Sequence, residues 1–100
     1  MNSEIKNRLD AALNSIDSEK QLIDLVGQLK IEGWSQLEVY DVFENYMNLL
    51  SDAGREHESD IVMEVLALIY GWCAPSLKLF PGTLSNEEIK RYQEAKRNIN

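Results

Sequence analysis

The sequence predicts an all-α protein, a compact bundle of about five helices. Apolar residues recur at spacings of three and four along most of its 100 residues, which is the period of a helix with one buried face. Three of these stretches begin with a Ser-x-x-Glu or Ser-x-x-Gln pattern, which is typical of a capping box. Residues Ala74 to Leu84 contain both prolines, so we expect a non-helical strap before the last helix.

Two helices are predicted in the first third of the chain. The apolar stripe of the first consists of Ile5, Leu9, Ala12, Leu13 and Ile16. The second is expected to begin at Ser18, with Gln21 as the other half of a capping box. Gly33 stands where a left-handed residue commonly ends a helix.

The third helix has the clearest start signal, because Ser35 and Glu38 form a capping box. We expect it to run to about Ala53 and to stop at Gly54. Its predicted inward face consists of Val39, Val42, Phe43, Tyr46, Met47 and Leu50. Its opposite face carries an acidic and amide stripe formed by Glu38, Asp41, Asn45, Asn48 and Asp52.

A fourth helix follows within a few residues, so we expect it to pack antiparallel to the third. From Ile61 to Cys73 it is apolar on almost every side, which indicates a central, buried helix that Gly71 ends or weakens. Ser85 and Glu88 form a third capping box and predict the start of the last helix.

Length and composition predict one domain over residues 1–100. Cys73 is the single cysteine, so no internal disulfide can form, which suits a reducing compartment. Charged residues are scattered through the first twenty positions, and the longest apolar run is too short to span a bilayer. We therefore expect a cytoplasmic protein that does not enter a membrane.

The negative charge is concentrated in one window. Between Glu32 and Glu64 the chain carries nine acids and one base, Arg55, for a formal charge of −8, whereas the remaining eight acids and nine bases give +1. Such a field repels nucleic acid and anionic membrane and attracts cationic surfaces. The predicted partner-binding residues are Glu38, Asp41, Glu44, Asp52, Glu56, Glu58, Asp60, Glu64 and Tyr40.

Three functions are consistent with this pattern. The first is an acidic binding protein that neutralises a cationic protein, most concretely an immunity protein or antitoxin that occupies the basic surface of a nuclease-type toxin. The second is a regulatory or adaptor bundle that uses apolar surface at Trp72 and Leu77–Phe80 for a partner or a homodimer. The third is a magnesium-dependent nucleotide hydrolase in which Glu38, Asp41 and Glu44 on one helix, with Glu56, Asp60 and Glu64 on the next, hold the metal.

The sequence predicts no enzyme, no cofactor and no metal site. It contains no Gly-rich phosphate loop and no Ser-His-Asp set. His57 shares a helical face with Asp60 and Glu64, which would suffice for a weak divalent site but not for catalytic zinc. A solvated surface carboxylate is also the ordinary reason for acids on a helix, so the acidic window is a candidate surface and not an active site.

Overall fold

The computed structural model describes residues 3–71 and 78–98, which form five α-helices. They are α1 (Ser3–Leu13), α2 (Ser18–Ile31), α3 (Gln36–Asp52), α4 (Glu56–Tyr70) and α5 (Asn86–Asn98). No strand occurs among these residues, so the predicted all-α bundle of five helices is confirmed. The division of the chain into a single domain stays a prediction.

Helices α3 and α4 form an antiparallel pair. A short turn through Gly54 joins them, and cross-contacts run in opposite directions along the two helices. Ser59 Oγ donates a hydrogen bond to the Met47 carbonyl at 3.3 Å, and Gln36 Nε2 donates to the Ile69 carbonyl at 2.9 Å. The early part of α4 therefore lies beside the late part of α3, as the short connection predicts.

The main core lies between this pair and helices α1 and α2. Its fully buried apolar side chains, each 0% exposed, are Leu9, Leu22, Val26, Leu29, Val39, Phe43, Val62, Val65 and Ile69. All nine lie at helical spacing on faces that the sequence marks as apolar. Ile16 is the exception to the predicted stripes, because α1 ends at Leu13 and leaves the Ile16 side chain exposed in the following turn.

The predicted helix starts have different outcomes. At α3 the Ser35 capping box is complete, with the Glu38 amide donating to Ser35 Oγ at 3.2 Å and the Ser35 amide donating to Glu38 Oε1 at 2.9 Å. At α2 the prediction of Ser18 as the cap is wrong. Asp17 occupies that position, and the Ser18 hydroxyl instead donates to the Leu13 carbonyl at 2.6 Å, a bond five residues back along the chain that closes the turn after α1.

Residues 78–85 are not helical and bring the last helix against the bundle. Phe80 is buried in the main core, and Leu84 packs with Tyr70 and Ile89 in a smaller cluster. The Leu84 amide donates to the Tyr70 carbonyl at 2.9 Å. The part of the predicted strap that contains Pro75, together with Trp72 and Leu77, lies outside the described residues.

Gly71 ends α4 where the backbone of residues 82 and 83 passes very close. Its φ is +100°, and a Cβ added there would lie 2.9 Å from Thr83 Oγ1 and 3.0 Å from Thr83 Cα. Gly33 ends α2 with a similar φ of +97°, but an added Cβ would meet nothing within 4 Å. The two glycines therefore separate the effect of backbone strain from that of a steric clash.

We predict that Gly71→Ala lowers the free energy of unfolding more than Gly33→Ala does. Both variants incur the strain of a left-handed alanine, about 1–2 kcal/mol, and only the first adds overpacking, about 1–3 kcal/mol. Urea denaturation of both variants measures the difference. Equal losses would show that residues 82 and 83 move aside without cost.

The Tyr46 side chain connects the core to the surface of α1. It is 1% exposed, and its hydroxyl donates to Asp10 Oδ1 at 2.5 Å. That bond, followed by the Lys6 ammonium, lowers the pKa of the Asp10 carboxyl below its ordinary value. In the folded state the Asp10 carboxyl therefore stays ionised at pH values where the same carboxyl in the unfolded chain is already partly protonated.

We predict that Tyr46→Phe destabilises the protein by about 1 kcal/mol at neutral pH, because the Asp10 carboxylate loses its strongest hydrogen bond. The folded-state pKa of Asp10 is depressed, so the contribution is present above the unfolded pKa and is lost as the pH falls through the folded value. The difference between wild type and variant in free energy of unfolding should therefore shrink in acid. Tyr92→Phe, whose hydroxyl bonds to none of the described residues, is the control; a Tyr46→Phe effect independent of pH would contradict the assignment.

Candidate partner-binding surface

Helix α5 lies over part of the acidic window. Lys96 Nζ donates to Asp41 Oδ2 at 2.7 Å, and Gln93 Nε2 donates to Glu44 Oε1 at 2.9 Å. The Asp41 carboxylate raises the pKa of Lys96 above its ordinary value, chiefly through this hydrogen bond. The chain's own basic helix therefore neutralises the middle of the acidic side of α3.

The expectation that Asp41 lies on an outward face is therefore wrong, because the residue is only 5% exposed. Tyr40, proposed as a boundary aromatic, is half-buried, and its ring centroid lies 5.8 Å from that of Tyr70. Burial, followed by a hydrogen bond with Glu44, raises the pKa of the Tyr40 hydroxyl. A partner could reach the Asp41 carboxylate only if α5 moved, whereas Tyr40 keeps part of its surface exposed.

Two further predicted residues are engaged locally. Glu38 is exposed but is used in the capping box of Ser35. Glu58 accepts from Arg55 through both of its oxygens, with Arg55 Nε 2.6 Å from Glu58 Oε1. This hydrogen-bonded pair lowers the pKa of the Glu58 carboxyl. The one base in the acidic window is thus already paired, and both acids have a structural role.

The remaining four acids form what we call the open acidic face: Asp52, Glu56, Asp60 and Glu64. All four are exposed, and none makes an ion pair with any of the described residues. Asp52 lies in the last turn of α3, where the helix dipole disfavours an acid, whereas Glu56 lies in the favoured first turn of α4. Asp60 and Glu64 follow Glu56 at four-residue steps, where like charges repel one another.

A groove runs between α3 and α4 beside the open acidic face. We call it the methionine groove, because Met47 and Met63 line it together with Ser51 and Ser59, and its volume is about 320 Å³. Asn48, Glu56 and Asp60 complete its lining. Met63 is 50% exposed. Ser59, a small buried residue of α4, is part of the lining and donates to the Met47 carbonyl at 3.3 Å.

The candidate surface has acids and an apolar depression rather than converging catalytic groups. In residues 3–71 and 78–98, no group of three or more His, Cys, Asp or Glu side chains is arranged to hold a metal ion, so His57, Asp60 and Glu64 do not form such a site. Among the helices of the same residues, none combines the length and apolarity that a membrane span requires.

Sequence reasoning missed Lys96, Gln93, Met47 and Met63 as determinants of this surface. Lys96 and Gln93 are three residues apart and so share a face of α5, which is the signal that could have been read. Nothing in that spacing says which helix α5 packs against. Met47 was predicted to face the core, and it is partly buried against the core and partly in the groove.

We predict that Lys96→Ala destabilises the protein by about 1–2 kcal/mol, because the buried Asp41 carboxylate loses its partner. Arg91→Ala is the matched control, since it also removes a base from α5 but breaks an exposed pair with Glu87. The control should change the free energy of unfolding by no more than about 0.5 kcal/mol. Urea denaturation compares the two, and equal small losses would mean that α5 is not held by the Asp41 contact.

Comparisons of this chain with protein-family models, curated proteins and solved structures found no match. Its function is therefore inferred from its own charges, contacts and surface shape.

Proposed function

We propose that this protein binds and neutralises a cationic protein, most concretely as an immunity protein or antitoxin for a nuclease-type toxin. The observation that carries the proposal is the open acidic face, four exposed carboxylates on neighbouring helices, none of which pairs with a cation in the part of the chain that the structure describes. The other acids of the window are engaged by Arg8, Lys96, Gln93, Arg55 or a helix cap. Within the window, the unneutralised charge thus lies on Asp52 at the end of α3 and on one edge of α4 from Glu56 to Glu64.

The chemistry of a nuclease explains why such a face would inhibit one. A nuclease site attracts phosphate with lysine and arginine, and a row of carboxylates on a rigid helix presents comparable negative charge. Complementary fields of this kind raise association rates toward about 10⁸–10⁹ M⁻¹s⁻¹ at low salt. Fast capture is what a cell needs if a toxin is to be stopped before it cleaves nucleic acid, and the proposal includes that the protein acts in the cytoplasm.

An alternative is a regulatory or adaptor bundle, or a homodimer, that works through apolar contacts. The exposed side chains of Ile16 and Ile31 favour it, since large aliphatic residues are costly to leave in water. Phe80 does not contribute to such a surface, because it is buried in the core. The hydrolase hypothesis is weaker, since one of its proposed metal ligands, Asp41, is already bonded to Lys96.

The proposal predicts that charge reversal on the open acidic face abolishes partner capture. The test variant is Asp52→Lys/Asp60→Lys/Glu64→Lys, and the control with the same change in net charge is Glu19→Lys/Asp24→Lys/Glu94→Lys, whose targets are exposed elsewhere. The product of the gene immediately upstream is the first partner to assay. The association rate should fall about 10-fold or more in the test variant only.

Nuclease activity of that partner, measured with and without the protein, supplies the functional readout. Wild type and control should suppress the activity, whereas the test variant should not. Circular dichroism checks that all three proteins remain helical. Capture that survives the test reversal, or that is lost equally in the control, would contradict a binding role for this face.

A further inference from the structure

We propose that the methionine groove receives an apolar side chain of the cationic partner, one that is flanked by lysine or arginine. This inference rests on the proposed function and specifies the chemistry of the partner segment. The apolar side chain would lie in the groove, and the flanking lysine or arginine side chains would lie against the carboxylates of the open acidic face. The groove would thereby add contact specificity to a surface that otherwise acts through charge.

The groove has room for a single side chain. Its volume is about 320 Å³, and its lining combines two flexible thioether side chains with two serines, Asn48 and two acids. Methionine adapts to irregular apolar shapes because it is unbranched and polarizable, and it is common on surfaces that bind varied partners. The Met63 side chain is half exposed in the isolated protein, so covering it would remove apolar surface from water.

The charges around the groove determine which kind of partner fits. Glu56 and Asp60 are part of its lining, and Asp52 and Glu64 are exposed on the same pair of helices. The base at this end of the pair, Arg55, is held by Glu58. A neutral apolar segment would leave the charge of these acids unneutralised, and an acidic segment would be repelled. A basic segment would be attracted electrostatically by all four carboxylates.

The arrangement resembles the general anatomy of a binding hot spot. An apolar anchor in a depression supplies affinity, and a charged rim excludes water and orients the partner. Here the depression is present in the isolated chain, and the Ser59 hydroxyl bonds α4 to the Met47 carbonyl of α3 beside it at 3.3 Å. An anchor side chain can therefore enter without a rearrangement of α3 and α4.

The experiment uses two synthetic peptides that differ at one position. The first is a ten-residue peptide of alternating lysine and glutamine with one central leucine, and the second has glutamine in place of the leucine. Both carry the same charge. Their dissociation constants are measured by calorimetry at low salt with wild type, with Met63→Gln and with Leu49→Gln. Leu49 of α3 is the matched control, because it is half exposed and apolar like Met63 but does not line the groove.

We expect the leucine peptide to bind wild type at least about fivefold more tightly than the glutamine peptide, because leucine burial is favourable. Met63→Gln should remove this preference, and Leu49→Gln should keep it. In spectra of protein labelled with ¹³C at the methionine methyls, the Met47 and Met63 signals should shift with the leucine peptide. Because Met63 and Leu49 are both about half exposed, neither substitution places glutamine in the core, so both variants should fold and their peptide binding can be compared.

Equal binding of the two peptides to wild type would overturn the groove inference while leaving the electrostatic proposal standing. Failure of both peptides to bind at low salt would contradict the proposed function as well. A preference for leucine that Met63→Gln does not reduce would place the apolar contact elsewhere. Sedimentation of wild type and Met63→Gln tests a second copy as the occupant, and a wild-type dimer that the variant dissociates would overturn the proposal of a cationic partner.

Discussion

The antiparallel packing of α3 against α4 is the constraint on which the rest of the structure depends. It buries Phe43 and Val65 in the main core, and it brings Ser59 against the Met47 carbonyl. The same pairing places acids of both helices around one end of the molecule. The groove and the open acidic face are therefore consequences of how the core is packed, because each helix buries one face and exposes the other.

Helix α5 divides the acidic window into an internal part and an external part. Its Lys96 and Gln93 engage Asp41 and Glu44, so those acids help to hold the fold. The open acidic face lies farther along the α3–α4 pair and receives no such cation from the described residues. Self-repulsion among these acids opposes folding, and binding a cationic surface would relieve it. The charge that remains unneutralised is thus the part that can act on a partner.

The sequence predictions hold where a contact depends only on neighbouring residues of one helix, and they fail where another element contributes. The Ser35 capping box depends on atoms three residues apart, and it forms as predicted. The Ser18 cap fails because a carbonyl from the preceding helix competes for the same hydroxyl. Ile16 fails for a related reason, since the helical spacing continues past Leu13 but the helix itself does not. A pattern within one helix contains no information about groups that a neighbouring element brings to the same side chain.

By itself the sequence determined the helical class, most of the buried faces and the concentration of negative charge, because these depend on residue type and on a period of three to four positions. Only the tertiary structure decided which acids meet a cation. Asp41 and Asp60 have the same functional group and similar surroundings in the sequence, yet one is buried against Lys96 and the other is exposed beside Met63. The distance between charges in space, rather than along the chain, determines which of them are neutralised.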